Sequence, residues 1–175
     1  MSDQPTEGAN RRSARCMGFV DLGSVGVRFV ASAEQTGAPF SVVEHPIAPK
    51  SLVAPMHRHS HEDEYSYVLE GRLGAQLGDE VVYAEVGELV SKPRGQWHTF
   101  WNPDRDPCRV LEIISPGGFE GFFADLAAAQ SSRGFDRVQL RELGARYGVT
   151  FDTDSVPGLC TKHGLTHPVL VERSP

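Results

Sequence analysis

The 175-residue sequence predicts an all-β fold, a closed or double-sheet antiparallel barrel, with a short helical extension at its C-terminal end. Three observations predict it. Between about Gly18 and Pro116, short apolar segments recur at close spacing, separated by Gly, Pro and Asp turns. After Pro116 the apolar period lengthens from that of a strand to that of a helix. Side chains of metal-ligand type are split between His57-Arg58-His59 with Glu64 and, more than thirty residues on, His98. They converge only if the sheet curls back on itself.

The strands follow in order. Residues 25–30 and 40–46 are the first two, with Gly37-Ala38-Pro39 as the turn before the second. The histidine strand comes next, then 65–69, closed by Glu70-Gly71. Residues 72–77 run into Gly78-Asp79, a short hairpin signal, and 81–84 return from it. Residues 88–90 precede a turn at Pro93-Arg94-Gly95, and 97–102 and 109–114 complete the set.

Three helices are expected beyond the strands. Phe119, Phe122, Phe123 and Leu126 fall at i, i+3, i+4 and i+7, one amphipathic face. Asp136 is the N-cap of a second helix that carries Leu140, Leu143 and Tyr147 and stops at Gly148. A third fits 155–163, with Pro157 near its first turn and Gly164 past its end. Their apolar faces are too few to bury one another, so they must dock on the barrel or on a partner subunit. The expected organisation is a disordered tail over 1–17, a barrel over 18–116, and helices with a tail over 117–175.

Composition narrows the function classes. A net charge of −6 and the lack of any basic stripe argue against a nucleic-acid partner. No apolar run approaches membrane-spanning length. Arg11-Arg12 is not followed by the apolar stretch that an export signal needs. Cys16, Cys108 and Cys160 are odd in number and far apart, so neither a disulfide framework nor a CxxC metal motif is present, and a reducing cytoplasm is the expected compartment.

The histidine segments carry the chemistry. On an extended strand alternate side chains share a face, so His57 and His59 point one way and Arg58 the other. With Glu64 and His98 they make three imidazoles and one carboxylate, a set that binds a divalent transition metal. If the strand ran on, His61 would share that face, and His59, His61, Glu64 and His98 would form an alternative frame. Pro93 and Gly95 suit a tight turn that re-aims the chain toward His98. His45 and His163 have no partners in sequence and fit core or surface roles. Glu62 and Asp63 read as solvated turn residues near the entrance.

These segments resemble the cupin superfamily. His57-x-His59, four residues, Glu64, six residues and Gly71 match its first motif. Gly87, five residues, Pro93-x-Gly95, two residues, His98, three residues and Asn102 match its second. Ser51 stands where the first motif usually opens with Gly, a difference in a turn and not in a ligand. The resemblance, to small single-barrel cupins of the quercetin-dioxygenase-like kind, implies a jelly-roll barrel with a metal held by His57, His59, Glu64 and His98. Its spacing places His61 in the turn. It also implies a homodimer paired through barrel edges.

By parity or position, Phe40, Val42, Glu44, Ser66, Val68, Phe100 and Leu111 are the candidates for lining a substrate pocket inside the barrel. Tyr65, Tyr67, Trp97 and Trp101 have the opposite parity and suit packing between sheets, helices or subunits. A metal with about two open positions would take a small enolic, catecholic or hydroxy-ketone substrate, with Glu64 accepting its proton. The leading expectation is a metal-dependent, dioxygenase-like oxidoreductase. A metal-dependent isomerase or lyase and a non-catalytic small-molecule-binding barrel are the alternatives. Fe(II) is the first expectation for the metal, and Mn, Ni, Cu, Zn and Co suit the same donors.

Overall fold

A computed structural model describes residues 18–131 and 135–167. The tail expected over 1–17 lies outside the described residues, as does the C-terminal end from 168. The chain forms β1 (Phe19–Asp21), β2 (Gly26–Ala31), α1 (Ala33–Thr36), β3 (Ser41–Ile47), β4 (Met56–His59), β5 (Asp63–Glu70), β6 (Leu73–Leu77), β7 (Glu80–Ala84), β8 (Leu89–Lys92), β9 (His98–Trp101), β10 (Cys108–Ser115), α2 (Glu120–Gln130), α3 (Arg137–Arg146), β11 (Val149–Asp152) and α4 (Ser155–His163).

The strands form two antiparallel sheets, of order β1-β2-β3-β10-β5-β8 and β11-β4-β9-β6-β7. This is the predicted jelly roll. Alternation decides what each strand buries. On β3, Ser41, Val43, His45 and Ile47 are buried, and on β10, Cys108, Val110, Glu112 and Ile114. On β5 the buried set is Glu64, Ser66 and Val68. These inner faces supply much of the core, with Val27, Leu73, Ala75 and Phe100 from the neighbouring strands.

The helices start and stop where the local chemistry dictates. Asp136 caps α3, its carboxylate accepting from the backbone N–H of Val138 and Gln139 while the Gln139 side chain accepts from the Asp136 N–H. Gly164 ends α4 in the left-handed region at φ 64°, and its N–H donates to the Cys160 carbonyl. Leu126 of α2 and Leu140 and Leu143 of α3 join the barrel core, so these helices cover the barrel itself. α4 closes a second cluster with Leu52 and Trp101, the indole stacked 4.3 Å from the His163 ring.

Three elements were not expected. α1 is a single turn held by a Ser32–Gln35 capping box. β1 is a three-residue strand pairing with β2, too short to leave a period in the sequence. β11 follows α3 and joins the edge of the second sheet, with Phe151 opposite His57. The C-terminal extension therefore completes a sheet as well as covering one.

Gly144 sets how closely α3 approaches β11. A Cβ there would lie 2.6 Å from the Phe151 ring and 3.0 Å from the Val149 carbonyl. At a free helical position Gly→Ala is worth about 1 kcal/mol of added stability. Gly144→Ala should reverse that sign and cost about 1–3 kcal/mol through overpacking, read as a fall in Tm; an unchanged or raised Tm would contradict the close packing.

Candidate metal centre

The centre is assembled from both sheets. β4 and β9 pair with His57 directly opposite His98, and His59 lies two residues along the same face of β4. Glu64 comes from β5 in the facing sheet. The link from β4 to β5 is only Ser60-His61-Glu62, which carries the chain from one sheet to the other. One potential ligand atom from each of His57, His59, Glu64 and His98 lies within 4.8 Å of the rest, and all four residues are buried.

The turn before β9 is built as its sequence suggests. The Gln96 N–H donates to the Pro93 carbonyl at 3.2 Å, and Gly95 adopts φ 78°, which suits glycine. The Gly95 N–H donates to the His59 carbonyl at 2.7 Å, fastening the turn to β4. Arg94 binds Asp63 through its backbone N–H and its guanidinium, at 2.8 and 2.7 Å. These hydrogen bonds hold the Asp63 carboxyl down at about 2. Asp63 is in contact with solvent, as expected, and is also a clamp between the two motif loops.

The donor set fits a divalent transition metal by its own hydrogen bonding. The Nδ1 atoms of His57 and His98 lie 2.9 and 3.0 Å from the Pro55 and Gln96 carbonyls, and that of His59 lies 3.2 Å from Glu62 Oε2. Donation from Nδ1 leaves each Nε2 as a lone-pair donor. His59 Nε2 is buried with no hydrogen-bond partner among the described residues, 3.5 Å from Glu64 Oε1. Glu62, expected as a solvated residue, is the carboxylate that orients His59.

Electrostatics divides the imidazoles. Burial, reinforced by the neighbouring His98 and His59, holds His57 well below the usual histidine range. Burial also lowers His98, against the pull of Glu64. For His59 burial lowers basicity, but Glu64 and Glu62 together outweigh it and raise the pKa. Burial disfavours the Glu64 charge, yet His59, Lys92 and His98 keep its pKa well below the usual carboxylate range.

The cluster opens on an apolar cavity. His57 and Glu64 line it, with Phe100 and Phe151 from the barrel and Phe119, Phe122 and Phe123 from the α2 region. The Phe119 ring packs edge-on against His59 at 4.5 Å. Of the other sequence candidates, Ser66 and Val68 are fully buried on the inner face of β5 but do not line this cavity. Phe40 is 40% exposed, and Val42, Glu44 and Leu111 lie on the outward faces of β3 and β10. The parity expected for those two strands was reversed. Both of their faces carry Val, Ile or Leu, so hydrophobicity alone does not choose between them.

His61 is exposed in the turn, beside the Ser60 hydroxyl. Trp101 packs between its sheet and α4, and Trp97 receives the Arg58 guanidinium at 5.0 Å. Tyr65 and Tyr67 lie on the outward face of β5.

Two charged residues of the interior were missed, and His45, expected in the core or at the surface, is buried. Lys92 is 1% exposed, ion-paired with Glu64 Oε2 at 3.3 Å and Glu112 Oε2 at 2.9 Å, with its ammonium 4.1 Å from the Phe100 ring centre. Glu112 is 1% exposed and also accepts from the Ser66 hydroxyl at 2.7 Å. His45 lines the cavity, donates from Nδ1 to the Gly26 carbonyl, and is pushed by burial down to about 4, so it is neutral. The available signal was Glu112 standing as a lone charge within the apolar run from Val110 to Ile114.

Comparison with known proteins agrees with this architecture. Residues 44–114 match the family model described as a cupin domain. The Tetracenomycin polyketide synthase protein TcmJ of Streptomyces glaucescens is 33% identical over 90 residues, 51% of this chain and 60% of that protein. The match thus spans less than two thirds of that relative. KdgF from Halomonas sp. superposes with a TM-score of 0.53 at 17% identity, over 59% of this chain and 90% of that one. A variant of Streptomyces PAC13 solved with uridine gives 0.50 at 13% identity, over 59% and 78%. At these identities the structural likeness carries the fold alone.

Two measurements test the ligand frame. His57→Ala or His98→Ala should lose most bound metal while His61→Ala keeps it, by metal analysis of purified protein; the reverse would move the frame along β4. Because His59 holds its proton to higher pH than an ordinary imidazole of pKa 6.5, metal must displace that proton. Affinity should fall about tenfold per pH unit below the raised pKa, and a flat titration from about pH 8 to about pH 5 would contradict it.

Proposed function

Because residues 44–114 are a cupin domain, we propose that this protein is a metal-dependent, dioxygenase-like oxidoreductase acting on a small enolic, catecholic or hydroxy-ketone substrate. The observation that carries the proposal is the buried four-ligand cluster, two of whose members line an apolar cavity. A substrate there meets ligand residues at one end and phenylalanine rings along its body, the usual division between orientation and binding in small-molecule sites.

His57, His59, Glu64 and His98 would hold the metal, with Fe(II) as our first choice. A divalent transition metal supplies Lewis acidity toward substrate oxygens and, when redox-active, electrons for dioxygen chemistry. The residues do the rest. Pro55, Gln96 and Glu62 fix the imidazole orientations through Nδ1, and Phe119 and Phe122 add apolar surface to the cavity wall. TcmJ is named as a polyketide synthase protein, and polyketides carry enolisable keto groups of the kind proposed for this substrate. We place the protein in the cytoplasm as a homodimer, a pairing that would cover the outer row of Leu111, Tyr67 and Leu89.

An oxygen electrode tests the reaction class. Metal-loaded protein should consume O₂ with an enolic, catecholic or hydroxy-ketone compound, and His98→Ala should abolish that uptake. Turnover unchanged under strict anaerobiosis would overturn the oxidoreductase reading and assign an isomerase or lyase.

A further inference from the structure

The cavity holds a second carboxylate that binds no metal-ligand set. Glu112 sits on the inner face of β10, opposite Ser66 of β5 in the strand register, and lines the same cavity as His57 and Glu64. Its two oxygens are treated differently. Oε2 accepts from the Ser66 hydroxyl at 2.7 Å and meets the Lys92 ammonium at 2.9 Å. Oε1 is buried with no hydrogen-bond partner among the described residues. A buried carboxylate oxygen without a partner is unfavourable, and the acidic hydrogen of a ligand would match it.

Glu64 is arranged the other way. Its Oε1 lies 3.5 Å from His59 Nε2, and its Oε2 lies 3.2 Å from His98 Nε2 and 3.3 Å from Lys92. Both oxygens lie within ion-pair distance of an imidazole or ammonium nitrogen, which ties Glu64 to the cluster. The sequence pattern favoured Glu64 as the proton acceptor.

We infer that Glu112, not Glu64, is the group that takes the acidic proton of a ligand in this cavity, a small enol, phenol or α-hydroxy-ketone whose neighbouring oxygen faces the histidine cluster. In that step the ligand O–H or C–H bond breaks, its electron pair stays on the ligand, and the proton passes to Oε1. Ser66 and Lys92 hold the carboxylate by its other oxygen and leave Oε1 without a partner. Once Glu112 is neutral, Lys92 keeps Glu64 as its counterion. Burial also raises the Glu112 carboxyl to about 7, against the Lys92 charge and with the help of Glu64, which suits a proton acceptor near neutrality. The inference rests on the metal-centred reading above, because the histidine cluster must orient the ligand.

The test uses the full chain loaded with a divalent metal, the variant Glu112→Gln, and 4-nitrocatechol as probe, since its absorbance reports its protonation state. Metal content is measured first. Probe affinity follows by absorbance, and protons released per probe bound follow from calorimetry in buffers of different ionisation enthalpy. Glu112→Gln should hold as much metal as the wild type, bind the probe about tenfold or more weakly, and release one more proton to buffer for each probe ionised. Full metal with unchanged affinity and proton count would overturn the role of Glu112 and leave the metal reading standing. Loss of metal from Glu112→Gln, or no probe binding by metal-loaded wild type, would also overturn it. A wild type that takes up no divalent metal would instead remove the metal reading on which it rests. If Glu112→Gln does not fold, Glu112→Met, which keeps the side-chain volume and leaves Lys92 paired with Glu64, carries the same comparison.

Discussion

The pairing of His57 with His98 across β4 and β9 is the constraint from which the site is built. It places two imidazoles side by side on one sheet, and alternation along β4 adds His59 without further design. The fourth member must then arrive from the opposite sheet. Only a short β4–β5 link delivers Glu64 there, and only a tight turn at Gly95 brings β9 back beside β4. The jelly roll is thus not a neutral container. Its two sheets are held at the separation that lets a carboxylate on one meet three imidazoles on the other.

That convergence places charge in a dry interior, and the surroundings answer it. Glu64 cannot remain ionised among apolar groups without partners, and Lys92 and the imidazoles supply them. Lys92 in turn is paired with two carboxylates, and its ammonium lies over the Phe100 ring. α2 then covers the barrel with Phe122 and Phe123 and α3 with Leu140 and Leu143, while β11 backs His57 with Phe151 at 5.4 Å between ring centres. The C-terminal segment therefore raises the strength of every polar contact in the cavity by excluding water from it.

What could be read from the sequence followed from local rules. The histidine spacing, the Pro93–Gly95 turn, the Asp136 cap and the span of α4 each depend on neighbours within a few residues, and the structure has them where the pattern puts them. Parity on β3 and β10 did not, because Val42 beside Val43, and Leu111 and Ile113 beside Val110 and Ile114, make both faces apolar. β11 was hidden for a different reason. Its four residues gain their strand character only by pairing with β4, some ninety residues earlier. Lys92 and Glu112 were hidden by the general rule that charges lie outside. They are inside because they satisfy each other.

Two buried carboxylates in one cavity would be redundant if their environments were alike. They are not. Glu64 has three cationic or imidazole neighbours spread over both oxygens, whereas Glu112 has a hydroxyl and an ammonium on one oxygen and nothing on the other. The same lysine touches both, so it favours charge on each but satisfies only one fully. This separation of environments is how a single fold gives two like groups unlike tasks. One carboxylate is fixed as part of a donor set. The other keeps one oxygen without a partner, in a cavity lined largely by apolar side chains, where His45 is neutral and already committed through Nδ1. His167 also lines that cavity with an unpartnered Nδ1, but burial lowers its pKa to about 4 while Glu112 is raised to about 7, so the carboxylate is the stronger base of the two.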